Sequence, residues 1–207
     1  MIDVLSRNGI IRSFGASLIL ATLSTTGDFL WAHFEIPHRT IAGILHGALL
    51  CLCMGAVLGY TGGSTRSVLV GAIGGIAVGV LSAASFYLLR LLTGFGAMIA
   101  AWMVLWVLAA MLHRWVGSLS ISPQATLTRG VVAAVSSGFV FYAISGIWTD
   151  PPPGGPNLPF NFLCWSIAFL PGFFSLFWTL RLRSLLAGIL VRCGLRSVGI
   201  GNQVWRS

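Results

Sequence analysis

The chain has 207 residues, of which 57% are hydrophobic and only 8% charged, with a formal net charge of +8 and a mean hydropathy of +0.93. That balance excludes a water-soluble globular domain, where about a quarter of residues are charged. The twelve basic residues are all arginine and are scattered over short loops and the tail, which excludes lysine Schiff-base and P-loop chemistry and leaves no basic stripe for nucleic acid.

At roughly 20 residues per crossing, the length holds an all-α integral membrane protein of about six transmembrane helices in a single domain, residues 1–207. Arg7 and Arg12 precede a first apolar run at 13–31. This run is longer than a signal-peptide core and lacks an A-x-A cleavage site, so it reads as an uncleaved helix. Ser24, Thr25 and Thr26 beside Gly27-Asp28 let its far end become polar or irregular, and irregularity there is tolerated only where it faces protein or water. The second span, 41–60, follows Pro37, which suits a first helical turn.

TGGSTRS at 61–67 is a turn, and 68–89 is an uncharged third span. Gly71, Gly75 and Gly79 recur every four residues, with Gly43, Gly47, Gly55 and Gly59 as their counterparts on the second span. An antiparallel hairpin centred near residue 65 pairs Gly59 with Gly71, Gly55 with Gly75, Cys51 with Gly79 and Gly47 with Ala83. Close packing drives helix association in lipid, and small residues let backbones approach. The sequence therefore predicts a glycine-packed, zipper-like hairpin of helices 2 and 3.

A turn through 91–96 leads to a fourth span at 94–112, closed by His113, Arg114 and Trp115 as interfacial anchors. SLSISPQATLT reads as a polar connection to a fifth span at 130–148. The proline-rich 149–159 is not helical. A sixth span, 160–180, contains Pro171-Gly172, where a kink is expected. The tail, 181–207, interleaves Arg181, Arg183, Arg192, Arg196 and Arg206 with leucines and reads as a cytoplasmic interfacial helix on anionic lipid.

Counting arginines across six spans puts Arg7, Arg12, Arg66, Arg114, Arg129 and the five of the tail on one side and only Arg39 and Arg90 on the other. The positive-inside rule then gives an N-in, C-in protein of a bacterial inner (plasma) membrane. Cys51, Cys53, Cys164 and Cys193 have neither disulfide nor zinc spacing; Cys51 and Cys53 diverge by about 200° around a helix.

Polar chemistry concentrates in 27–47, GDFLWAHFEIPHRTIAGILHG. Asp28, His33, Glu35, His38, Arg39 and His46 are the candidate site residues, on the side opposite most arginines. Arg39 and His46, seven apart, share a helix face, whereas His38 is rotated by about 80° from His46. Asp28 and His46 fall inside spans, where an ionisable group marks a functional site by default.

Three readings compete. In the first, Asp28 and His46 line an outward-facing polar pocket that transports or senses a small solute or proton. In the second, the polar residues are structural and the chain is a small helper subunit of a larger membrane complex. In the third, Asp28, His33, His38 and His46 hold a divalent metal in a membrane enzyme, although the spacing matches no established metal motif. Arg90 at the end of the third span reads as a snorkelling cation, with Asp28 or Asp150 as alternative partners. Asn157 and Asn161 are further donors near the mouth of the bundle, and Tyr87 and Tyr142 are either cavity-lining or packed rings. The expected partners are membrane lipids, further copies of the chain or a larger complex, with no cofactor beyond the metal of the third reading.

Overall fold

A computed structural model of the protein describes residues 2–33, 38–149 and 157–177. Among these the secondary structure is entirely helical: α1 (Ile2–His33), α2 (Arg39–Tyr60), α3 (Thr65–Thr93), α4 (Ala97–Val116), α5 (Pro123–Thr149) and α6 (Leu158–Phe177), with a 3-10 turn at Gly94–Gly96. Five of them, α2 to α6, are long and apolar enough to cross a membrane. The protein is a membrane-type helical bundle. With 32 residues, α1 has the length to cross, but Ser13, Ser17, Thr22, Ser24, Thr25, Thr26 and Asp28 dilute its apolar run.

Local chemistry sets the ends of the helices. Ser64 Oγ accepts from the Ser67 N–H at 3.0 Å and opens α3. Gly94, at φ +56°, takes the left-handed conformation that closes α3 past the apolar run. The serine before Pro123 starts a helix within SLSISPQATLT, 118–128, the stretch expected as a polar connection. Ser122 Oγ accepts from Ala125 N–H at 3.1 Å and Pro123 occupies the first helical position, so α5 starts there. Asn157 caps α6 in the same way, accepting from Phe160 N–H at 3.2 Å, and Pro159 sits harmlessly in the first turn. α6 continues as helix through Pro171. The tail from 181 onward lies outside the described residues.

In sequence order α2 packs on α3, α3 on α4, α4 on α5 and α5 on α6, and α6 in turn packs on α1. A slighter contact between α1 and α2 closes the ring, and α4 also touches α2 and α6. The most extensive interface is that of α2 with α3. There Gly55, Gly59, Gly71, Gly75 and Gly79 face backbone: a Cβ on Gly55 would meet the Gly71 carbonyl and, at 2.9 Å, Gly75 Cα, and one on Gly75 would meet the Cys51 carbonyl and Gly55 Cα. A Cβ on Gly47 would lie 3.1 Å from the Ala83 methyl.

Rings fill the interior between α4, α5 and α6. Trp102 stacks on Trp106 at 6.3 Å, Trp165 on Phe169 at 5.4 Å, and Phe173 on Phe177 at 5.8 Å. Trp102 bridges to Phe169 at 5.8 Å and Trp106 to Phe173 at 5.3 Å. The result is one continuous aromatic column along α6. It ends where buried His113 meets Phe177 edge-on at 5.2 Å, with Arg12 and Arg129 close enough to act on the imidazole electrostatically. That end of the bundle gathers the start of α1, the α2–α3 turn, the end of α4 and the start of α5, and it carries Arg12, Arg66, Arg114 and Arg129. Arg39 and Arg90 lie at the other end with Asp28.

Candidate functional site

Asp28 lies on the last full turns of α1, facing the first turns of α6. On α6, Asn161 and Trp165 are four residues apart and therefore share one face. Both donate to the same carboxylate oxygen: Asn161 Nδ2 to Asp28 Oδ2 at 3.1 Å, and Trp165 Nε1 to Asp28 Oδ2 at 2.6 Å. A carboxylate taken out of water needs such donors, since burying an unpaired charge is costly. Oδ1 has no hydrogen-bond partner among the described residues.

His46 completes the site from α2. The neighbour of Asp28, Gly27, has no side chain, and the His46 imidazole occupies the space that one would fill: a Cβ there would lie 2.5 Å from Nδ1 and 3.1 Å from Nε2. Asp28 and His46 are within electrostatic range of each other. Both are half-buried. The slight α1–α2 contact thus has an acid and an imidazole at its centre, with two neutral donors behind the acid.

The remaining sequence candidates are dispersed. His38 and Arg39 are exposed at the start of α2; the His38 carbonyl accepts from Ala42 N–H at 3.0 Å, and the Arg39 carbonyl accepts from Tyr87 Oη at 3.2 Å. Tyr87 thereby pins the end of α3 to the start of α2, with its hydroxyl against Gly43. His33 ends α1, but its side chain, like Glu35 and Asp150, lies outside the described residues. Among the described residues no group of three or more His, Cys, Asp or Glu side chains is placed to hold a metal ion. Arg90 sits with its guanidinium carbon 5.9 Å from the Phe86 ring on its own helix, and makes no ion pair with Asp28.

No protein family, curated protein or solved structure matches this chain.

Trp165 was the residue that sequence reasoning missed. The usable signal was its position: a second donor one turn after Asn161, on an otherwise apolar helix, in a chain with few acids to receive it. Of the two forms open to the end of α1, polar or irregular, it takes the polar one and stays regular helix. Thr26 Oγ1 donates to the Thr22 carbonyl at 2.8 Å, and helix continues to His33.

Proposed function

We propose that this chain is a membrane transport or sensing protein whose small solute or proton engages Asp28 and His46. One observation carries this reading: a carboxylate seated among three helices of an apolar bundle and held by two donated hydrogen bonds from α6, with an imidazole from α2 beside it. Interfacial side chains that merely avoid lipid snorkel outward and need no such cradle. An acid and an imidazole side by side can accept, hold and release a proton or a polar solute. The metal reading draws no support from three converging ligands among the described residues.

In this reading α1 also crosses the membrane and brings the spans to six. Its Ser and Thr face is turned inward, as the burial of Ser13, Ser17, Ser24 and Thr25 suggests. The arginine-rich end faces the cytoplasm of a bacterial cell, both termini lie inside, and the Asp28 site opens outward. The basic tail rests on anionic lipid. The α2–α3 hairpin acts as a glycine zipper, a fixed wall against which α1 and its site are placed.

The experiment is flux into liposomes. Reconstituted wild-type protein is expected to carry protons, read by an internal pH dye, or a polar solute, read by swelling. Asp28→Asn, which keeps the shape and removes the charge, is expected to lose this flux by about tenfold or more, equivalent to ~1.4 kcal/mol or above. Flux equal in wild type and Asp28→Asn overturns the reading, as does wild-type flux no faster than in protein-free liposomes.

A further inference from the structure

The described side-chain hydroxyls of α1 divide into two groups. Ser13, Ser17, Thr22 and Thr26 each donate back to the carbonyl four residues earlier, at 2.8 to 2.9 Å, which is how a hydroxyl in a helix ordinarily satisfies itself. Ser24 and Thr25 do not. Ser24 is 1% exposed and Thr25 7% exposed, and among the described residues neither Oγ of Ser24 nor Oγ1 of Thr25 has a hydrogen-bond partner. Buried hydroxyls left unpaired cost free energy, and each calls for an explanation.

Their position supplies one. Ser24 and Thr25 are four and three residues before Asp28, one turn below it on neighbouring parts of the same face. Helical side chains lean toward the N-terminus, the direction in which Ser24 and Thr25 lie from Asp28. Asn161 and Trp165 both hold Oδ2, which leaves Oδ1 without a hydrogen-bond partner among the described residues. Three oxygen atoms with unused lone pairs therefore belong to one turn of one helix.

We propose that Asp28 Oδ1, with the hydroxyl oxygens of Ser24 and Thr25, binds a monovalent alkali cation. Hard cations take oxygen ligands, and carboxylate and hydroxyl oxygens are of that kind. One carboxylate with one monovalent ion makes a neutral unit, which an apolar bundle tolerates; a divalent ion would bring an uncompensated charge. The two hydrogen bonds donated to Oδ2 favour the charged form of the carboxylate and fix it in place, and a bound cation would favour that form further. The assignment rests on reading Asp28 as the centre of the bundle's functional site and names the ion that site takes.

The test is binding of radioactive sodium to the detergent-purified full chain, with competition by sodium, lithium, potassium and choline chlorides. Saturable binding, displaced by an alkali chloride and not by choline, is expected in the wild type. Ser24→Ala and the isosteric Thr25→Val are expected to weaken it by about tenfold each, and Asp28→Asn to abolish it. Ser17→Ala, which removes a back-bonded hydroxyl from the same helix, is expected to bind as wild type does. No saturable binding in the wild type, or equal losses in Ser17→Ala and Ser24→Ala, overturns the proposal. Liposome flux that persists unchanged in alkali-free medium and still depends on Asp28 would remove the cation site and leave the transport reading standing.

Discussion

At the scale of the residue, Trp165 carries two roles that one substitution separates. Its indole ring stacks on Phe169, while its N–H donates to Asp28. Trp165→Phe keeps the ring and removes the donor. Hydrogen bonds to charged groups are worth about 1.5–3 kcal/mol, and a loss of that order is expected in detergent unfolding. In the Asp28→Asn background the same substitution is expected to cost much less, so a double-mutant cycle showing no coupling would contradict the bond. Gly27 offers a second test. Gly27→Ala forces the His46 imidazole away from its present place, and a changed imidazole NMR signal at His46, with no comparable change at exposed His38, is the expected result. Asp28 and His46 stood out in the sequence because charge inside apolar runs is rare. Their donors did not, since an indole N–H in an apolar helix looks like packing until the acid it faces is located. Neither did the idle hydroxyls, because Ser24 and Thr25 resemble Ser17 and Thr22 until their hydrogen bonds are traced.

At the scale of the element, the clearest contrast lies between two glycines in helices. A Cβ on Gly75 of α3 would meet the Cys51 carbonyl and lie 3.1 Å from Gly55 Cα of α2; among the described residues a Cβ on Gly15 of α1 would meet no other part of the bundle within 4 Å. Gly75→Ala must push the two helices apart, at the ~1–3 kcal/mol typical of overpacking. Gly15→Ala meets no obstacle and should stabilise by up to about 1 kcal/mol through helix propensity. Thermal or denaturant unfolding in detergent measures both; equal effects would remove the distinction between the two sites. Apolar runs announced the helices, while capping chemistry decided their ends. Hydropathy places a polar connection where Ser122 and Pro123 start α5, and it cannot see Gly94 taking the left-handed conformation that ends α3. The weak α1–α2 contact was also hidden, because it depends on which helices close the ring rather than on any local pattern.

At the scale of the whole molecule, charge is distributed unevenly between the two ends of the bundle. Arg12, Arg66, Arg114 and Arg129 crowd one end, and Asp28 with Arg39 and Arg90 lies at the other. The orientation this asymmetry implies is checked by single cysteines in a cysteine-free chain. Thr93→Cys, exposed beside Gly94, is expected to react with a membrane-impermeant maleimide in intact cells; Ser120→Cys, exposed between α4 and α5, only after permeabilisation. The reverse pattern would invert the protein and turn the Asp28 site toward the cytoplasm. Composition was sufficient for a membrane bundle, yet no periodicity announces that α6 runs against both α1 and α5, which is a property of the closed ring. The column of rings along α6 has one more consequence, and it is optical. Trp165 touches the acid at one end, and Trp102 and Trp106 lie stacked further along. Indoles fixed this close absorb as coupled chromophores, so near-ultraviolet circular dichroism of the unlabelled protein should register any shift of α6 when the Asp28 site changes occupancy.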